Sequence, residues 1–205
     1  MKLYTIGFTQ KRAETFFELL RQQGVRRLVD IRISPDGQLA GFAKKDDLPF
    51  FLERLADGCA YVHLPELAPT KEILKDYRQD SDWQRYVDRF EALMDERRIP
   101  DTLDRAAFEE LPSCLLCSEA TPEKCHRLLV AERLGVHWPD VRSFIYEETD
   151  RHHRRDTNAG RACVYRRLRP AWQMYSTRSS AAWHPRKYLV LRWRSVHLSG
   201  RQSGI

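Results

Sequence analysis

Ser113-Cys114-Leu115-Leu116-Cys117-Ser118-Glu119-Ala120-Thr121-Pro122-Glu123-Lys124-Cys125-His126-Arg127 is the stretch that decides the fold. Ser113–Cys117 reads as a buried strand, a short apolar run bounded by polar turn residues. Thr121-Pro122-Glu123 then predicts a helix start, with Thr as the cap, Pro at the first helical position and an acid near the positive end of the helix dipole. That helix is expected to run to about Leu134 and stop at Gly135.

Units of the same kind fill the rest of the first three quarters of the chain. Leu3–Ile6 is a strand ending at Gly7, and Thr9 is placed to cap a helix with Ala13, Phe16, Phe17 and Leu20 on one face. Gly24 ends that helix. Leu28-Val29-Asp30-Ile31-Arg32 is a second strand. Asp47 and Pro49 open a helix that turns Leu48, Phe51, Leu52 and Leu55 inward, and Gly58 ends it. Tyr61–Leu64 is a third strand. Thr70 caps a short helix, and Asp82 starts a longer one with Trp83, Val87, Phe90 and Met94 on one face. Ile99–Leu111 reads as irregular, and Val141–Ile145 is a fifth strand. Strands alternating with helices in this way predict an α/β fold: a three-layer, mostly parallel sheet of about five strands with helices on both faces.

Charge divides the chain. From Glu147 onward there are 13 bases against 4 acids, a net of +9 that leaves −3 for the remainder. The sequence therefore predicts an α/β domain over residues 1–146 and a basic Arg/Trp-rich extension over 147–205, in which only Lys187–Trp193 resembles a strand. Trp172, Trp183 and Trp193 among those bases could stack nucleobases while Arg contacts phosphates. The competing reading is a solvated extension. No apolar run approaches the roughly 18 residues of a membrane span, and the first residues lack a secretory pattern. The expected location is the cytoplasm, with no membrane partner. Five cysteines, an odd count with three in Cys114–Cys125, do not look like a secreted disulfide framework.

Ligands of parallel sheets bind beyond the carboxyl ends of the strands. Those ends carry Thr5 and Gly7, then Asp30 and Arg32, then His63 and Glu66, then Cys117 and Glu119. Cys114 and Cys117 do not form one site, because residues three apart on a strand face opposite ways. Cys117, beside a helix start, is favoured as a thiolate. Cys125 is expected one turn inside the helix, with the loop folding it back toward Cys117.

Three chemistries fit. The first is a thiol enzyme with Cys117, His126 and Glu119 as the catalytic set. Arg127, Arg32, Asp30, His63, Glu66 and Thr5 would then surround a small anionic substrate. The second is a metal site on Cys125 with Cys117 and a histidine. His126 follows Cys125 at about 100° on a helix, so this reading asks His63 to contribute. The third is an anion pocket at the helix start. The plain alternative is a structural motif in which His126 and Arg127 tie loops together. No cofactor is specified by any of these patterns.

Thr5-Ile6-Gly7-Phe8-Thr9, Leu28–Arg32, Gln38-Leu39-Ala40-Gly41-Phe42, Tyr61–Leu67 and Cys117–Arg127 together resemble the bacterial and archaeal family called domain of unknown function 488. The blocks occur in family order over about residues 2–146. Phe8 stands where many members of that family carry His. The resemblance implies a small soluble α/β fold and a signature of Cys117, Glu119, Cys125, His126 and Arg127, with Asp30, Arg32, His63 and Glu66 as companions. It implies no reaction. The strand-end cysteine is also similar to a sulfurtransferase pattern, but nine residues separate Cys117 from Arg127 where that pattern has about five.

Overall fold

Near-continuous burial, with successive side chains entering opposite cores, builds the sheet. The computed structural model describes residues 1–138, 140–148 and 163–167. Strands β1 (Lys2–Gly7), β2 (Arg27–Asp30), β3 (Ala60–His63), β4 (Ser113–Cys117), β5 (Arg142–Glu148) and β6 (Cys163–Arg167) form one sheet in the order β3-β2-β4-β1-β5-β6. β1 to β5 are mutually parallel, and β6 runs antiparallel to β5. The predicted parallel sheet is present. β6 is an addition, a strand that the sequence reading did not contain. Lys187–Trp193, Trp172 and Trp183 lie outside the described residues, and so does most of the basic extension.

Six helices cover the sheet: α1 (Ala13–Gln22), α2 (Leu48–Leu55), α3 (Lys71–Asp80), α4 (Trp83–Glu96), α5 (Arg105–Glu110) and α6 (His126–His137). Leu3, Val29 and Leu115 pack on one face with Phe90 and Met94 of α4 and Val130 and Leu134 of α6. Tyr4, Ile6, Leu28, Cys114 and Leu116 pack on the other with Phe16 and Leu20 of α1 and Leu48 and Leu52 of α2. Each such buried side chain contributes about 1.5–3 kcal/mol, so a slip of one residue in any strand would exchange the two cores.

Local signals set most helix starts. Thr70 and Asp82 accept hydrogen bonds from the backbone N–H groups of Ile73 and Arg85, as predicted. Asp104 does the same for Ala107 and starts α5 inside the stretch read as irregular. Three expectations need correction. Thr9 caps nothing; its hydroxyl donates to the Ser118 carbonyl and ties two loops together. Thr121 does not start α6. Cys125 N–H donates to the Pro122 carbonyl, Lys124 turns left-handed at φ 54°, and the helix begins only after an extended Cys125. α6 also passes through Gly135 to His137, because that buried glycine lies on its packed face.

The order of the strands sets a switch point at the carboxyl edge. β1 and β4 are neighbours, yet α1 after β1 covers one face and α6 after β4 covers the other. Their outgoing loops part at the carboxyl edge, which is where open α/β sheets bind ligands. Backbone bonds from Phe8 N–H to the Cys117 carbonyl (3.4 Å) and from Thr9 N–H to the Ser118 carbonyl (3.2 Å) hold the two loops together at their roots. Gly7 makes this approach possible. A Cβ there would lie 1.6 Å from the Glu119 carbonyl oxygen and 2.9 Å from an Arg127 nitrogen. Gly24, by contrast, has open space around its absent Cβ and only a left-handed φ of 62°. Gly7→Ala should therefore cost about 3 kcal/mol of unfolding free energy in urea, and Gly24→Ala about 1 kcal/mol. Equal losses would contradict the close approach.

Candidate functional site

A guanidinium sits at the centre of the carboxyl edge. Arg127, in the first turn of α6, is fully buried and heads the described buried side chains in volume. Its Nη1 donates to the Glu119 carbonyl at 2.6 Å and to Cys125 Sγ at 3.5 Å, and its Nη2 donates to the Ala120 carbonyl at 3.4 Å. Its Nε has no partner among the described residues. No carboxylate pairs with it there either. A buried cation costs several kcal/mol unless an anion compensates it, and the groups at hand are the two sulfurs.

Those sulfurs form one cluster with a histidine. Cys117 ends β4, Cys125 is the cap residue of α6, and His126 is its first residue. Cys125 Sγ lies 3.3 Å from Cys117 Sγ, and His126 Nδ1 lies 3.6 Å from the same sulfur. The ligand atoms of all three lie within 4.8 Å of one another. This corrects the expected obstacle to a shared site. Cys125 is extended, at φ −125° and ψ 135°, so the helical step of about 100° does not separate it from His126. His63 is not needed to complete the trio. His126 Nε2–H donates to the Ile31 carbonyl at 2.9 Å, which aims Nδ1 at the sulfurs.

The electrostatics separate the two thiols. The hydrogen bond from Cys125 holds the Cys117 thiol well below its ordinary value against the opposing effect of burial, with further help from the His126 and Arg127 charges. Burial pushes Cys125 well above its ordinary value, and its bond to a charged Cys117 adds to that. Burial alone would lower His126, but the Cys117 charge, its hydrogen bond and the Ile31 carbonyl together raise it. The consistent state is a Cys117 thiolate that accepts from an imidazolium and from the Cys125 thiol.

Asp30, Arg32 and His63 form a second group. Asp30 and Arg32 form a buried bidentate pair at 2.8 and 2.6 Å. Tyr61 also donates to Asp30, and Arg32 donates to the Ala43 carbonyl. Arg32 lies 5.2 Å from the Phe8 ring centroid. This group packs on the α1–α2 side of the sheet, whereas Thr5 and Cys117, two residues on from Leu3 and Leu115, share their face toward the α4–α6 side. His63 bonds the Arg32 carbonyl through Nε2 at 2.8 Å. Glu66 presents its carbonyl to Arg97 at 2.6 Å. Glu119 is exposed and reaches Arg127 through its backbone carbonyl. Thr5 is buried, and its hydroxyl has no partner among the described residues.

Sequence reasoning missed the wall of the site. The Phe90 ring meets His126 edge-on at 5.9 Å, and Tyr86 stacks on Phe90. Burial, and then the charges of Cys125 and Cys117, push the Tyr86 phenol up. Tyr86 lies four residues before Phe90, so the helical period carried the signal, and Phe90 itself was read only as core.

The family described as Domain of unknown function DUF488 matches residues 12–134. No curated protein and no solved structure matches the chain.

The two groups have separable consequences. Arg32→Leu would strand the Asp30 carboxylate in a dry site and should cost about 3–5 kcal/mol of stability. At temperatures where the variant stays folded, the pH profile of Cys117 reactivity should not move. A shift in that profile would show that Arg32 acts on the sulfur after all.

Proposed function

The chain belongs to the family described as domain of unknown function DUF488, and with the geometry of its carboxyl edge as the further premise we propose that it is a thiol-dependent enzyme. Cys117 is the nucleophile, His126 is its proton partner, and the substrate is small and polar or anionic. The observation that carries this reading is the contact of Cys117 Sγ with Cys125 Sγ at 3.3 Å and with His126 Nδ1 at 3.6 Å, in a site that also holds the fully buried Arg127 guanidinium.

The chemistry follows from the pairings. A thiolate beside an imidazolium attacks an electrophile without waiting for a base, and His126 Nδ1–H can then protonate the leaving group. Cys117, Cys125 and His126 are at most 8% exposed, so the substrate must be small or carry its reactive atom on a thin tip. The Arg127 Nε and the Thr5 hydroxyl are buried polar groups with no partner among the described residues. They lie toward the same side of the sheet as Cys117 and supply hydrogen bonds for a polar substrate group. The reading fits the cytoplasm, where thiols stay reduced. No described helix is long and apolar enough to cross a membrane.

A metal centre is the second reading, and one observation favours it. With metal–sulfur bonds near 2.3 Å and metal–nitrogen bonds near 2.0 Å, a tetrahedral zinc ion needs ligand separations of about 3.5–3.8 Å. His126 Nδ1, 3.6 Å from Cys117 Sγ, meets that spacing, and the 3.3 Å between the two sulfurs is short of it. Two thiolates and an imidazole would fill three positions and leave a fourth open.

Alkylation of the folded protein by iodoacetamide, mapped by peptide across pH, tests the first reading. The thiolate exists above its folded pKa, so reactivity at Cys117 should persist at pH values well below about 8.5 and fade as pH drops through the lowered value. His126→Ala should move that profile upward. A midpoint at or above the free-thiol value would remove the case for activation. Elemental analysis decides the second reading. About one zinc per chain surviving a chelator, with Cys117 shielded from alkylation until the metal is stripped, would replace the enzyme nucleophile by a metal ligand.

A further inference from the structure

We infer that Cys117 and Cys125 form a two-electron redox pair that reduces hydrogen peroxide, with Cys117 the sulfur attacked first and Cys125 the sulfur that resolves the oxidised product. This rests on the reading of Cys117 as a nucleophile and goes beyond it by naming the substrate class and the second thiol.

The geometry of the pair is the first support. The two sulfurs are 3.3 Å apart, so closing to a bond of about 2.0 Å takes little more than 1 Å of motion. Cys125 can supply that motion. It is extended and precedes the helix, and its backbone carbonyl already accepts from Leu128 while its side chain caps nothing. Turning its side chain therefore breaks no rung of α6. Cys114 and Cys59 cannot compete for Cys117, because both pack in the cluster on the other face of the sheet.

Burial selects the oxidant. Cys117 and Cys125 are 3% and 2% exposed, a setting that favours a small oxidant over a bulky one. The donors select it too. His126 Nδ1 faces the Cys117 sulfur, so an oxygen leaving from that sulfur finds a proton at once.

The steps balance. The Cys117 thiolate attacks one oxygen of hydrogen peroxide, the O–O bond breaks, and the departing hydroxide takes the His126 proton to leave as water. Cys117 is then a sulfenic acid. The Cys125 sulfur, on losing its proton, attacks the Cys117 sulfur. The S–O bond breaks, and that hydroxyl takes the released proton to leave as a second water. The pair of sulfurs has lost two electrons and the peroxide has gained them. A dithiol reductant returns the pair to its starting state by thiol–disulfide exchange.

The test uses the full chain, reduced with dithiothreitol and freed of it, with hydrogen peroxide as the probe and peptide mapping as the readout. One equivalent of peroxide should remove the Cys117 and Cys125 thiols together and yield a peptide pair joined through them. The folded protein should react on the order of 10²-fold faster than the same chain in urea. Cys125→Ser should halt at a Cys117 sulfenic acid trapped by dimedone, and dithiothreitol should restore both thiols in the wild-type chain. If Cys117 instead proceeds to sulfinic acid in the wild-type chain with Cys125 still free, the inference is overturned while the nucleophile reading stands. If folding brings no acceleration, peroxide is not the substrate. The iodoacetamide profile then shows independently whether Cys117 is activated at all. The wild-type mapping needs no variant, so a misfolded Cys125→Ser protein would leave the decision intact.

Discussion

A positive charge buried from solvent shapes this carboxyl edge. Arg127 is wholly buried, and its Nη atoms are spent on two loop carbonyls and one sulfur. Carbonyl dipoles soften the cost of burying the guanidinium but do not neutralise it. A thiolate does. The Cys117 thiolate and the Arg127 charge therefore favour each other, after the larger effects of the Cys125 hydrogen bond and of His126. The same side chain fixes the path of the loop, since the Glu119 and Ala120 carbonyls must turn inward to meet it. Removing the charge would release the loop and take away one of the reasons for a thiolate.

The rest of the architecture serves that contact. β4 delivers Cys117 to the edge between β1 and β2, and α6 leaves on the face opposite to α1. Gly7 lets the β4 loop settle against β1 at a distance that no side chain permits. His126 reaches across to the Ile31 carbonyl beyond β2, so its ring cannot rotate away from the sulfur. The pair Asp30–Arg32 performs a different task on the other face, holding the loop after β2 through the Ala43 carbonyl. Two polar centres thus lie at the sheet edge, one paired as a salt bridge and one built on two thiols, an imidazole and a guanidinium.

Much of the fold was legible because it rests on periodicity. Phe16, Leu20, Leu48 and Leu52 announce buried helix faces, and Ser113–Cys117 announces a covered strand, before any tertiary contact is known. Thr70 and Asp82 were legible as caps because that chemistry is local. Thr121-Pro122-Glu123 misled for a related reason. The motif suits a helix start, but Lys124 adopts a left-handed turn that no local preference of lysine predicts, and it delays α6 until Cys125 has reached Cys117. That delay is what unites the cysteines with His126. The signature residues could be picked from the sequence, whereas their convergence could not. In the same way, the residues at four strand ends looked like one site, and only the alternation of side chains across the folded sheet divides them. Gly7 read as the end of a strand, and its role in admitting the Glu119 carbonyl depends on a partner 112 residues away.

The charge state of one sulfur is the most direct measure of this account. The ultraviolet absorbance of thiolate, taken as the difference between the wild-type protein and Cys117→Ser and followed against pH, reports that state without any reagent having to enter the site. About one thiolate per chain is expected at neutral pH, lost only as the solution becomes acidic, with its midpoint moved upward by His126→Ala and by a smaller step in Arg127→Met. A difference spectrum with no thiolate at neutral pH, rising only near the value of a free cysteine, would contradict it.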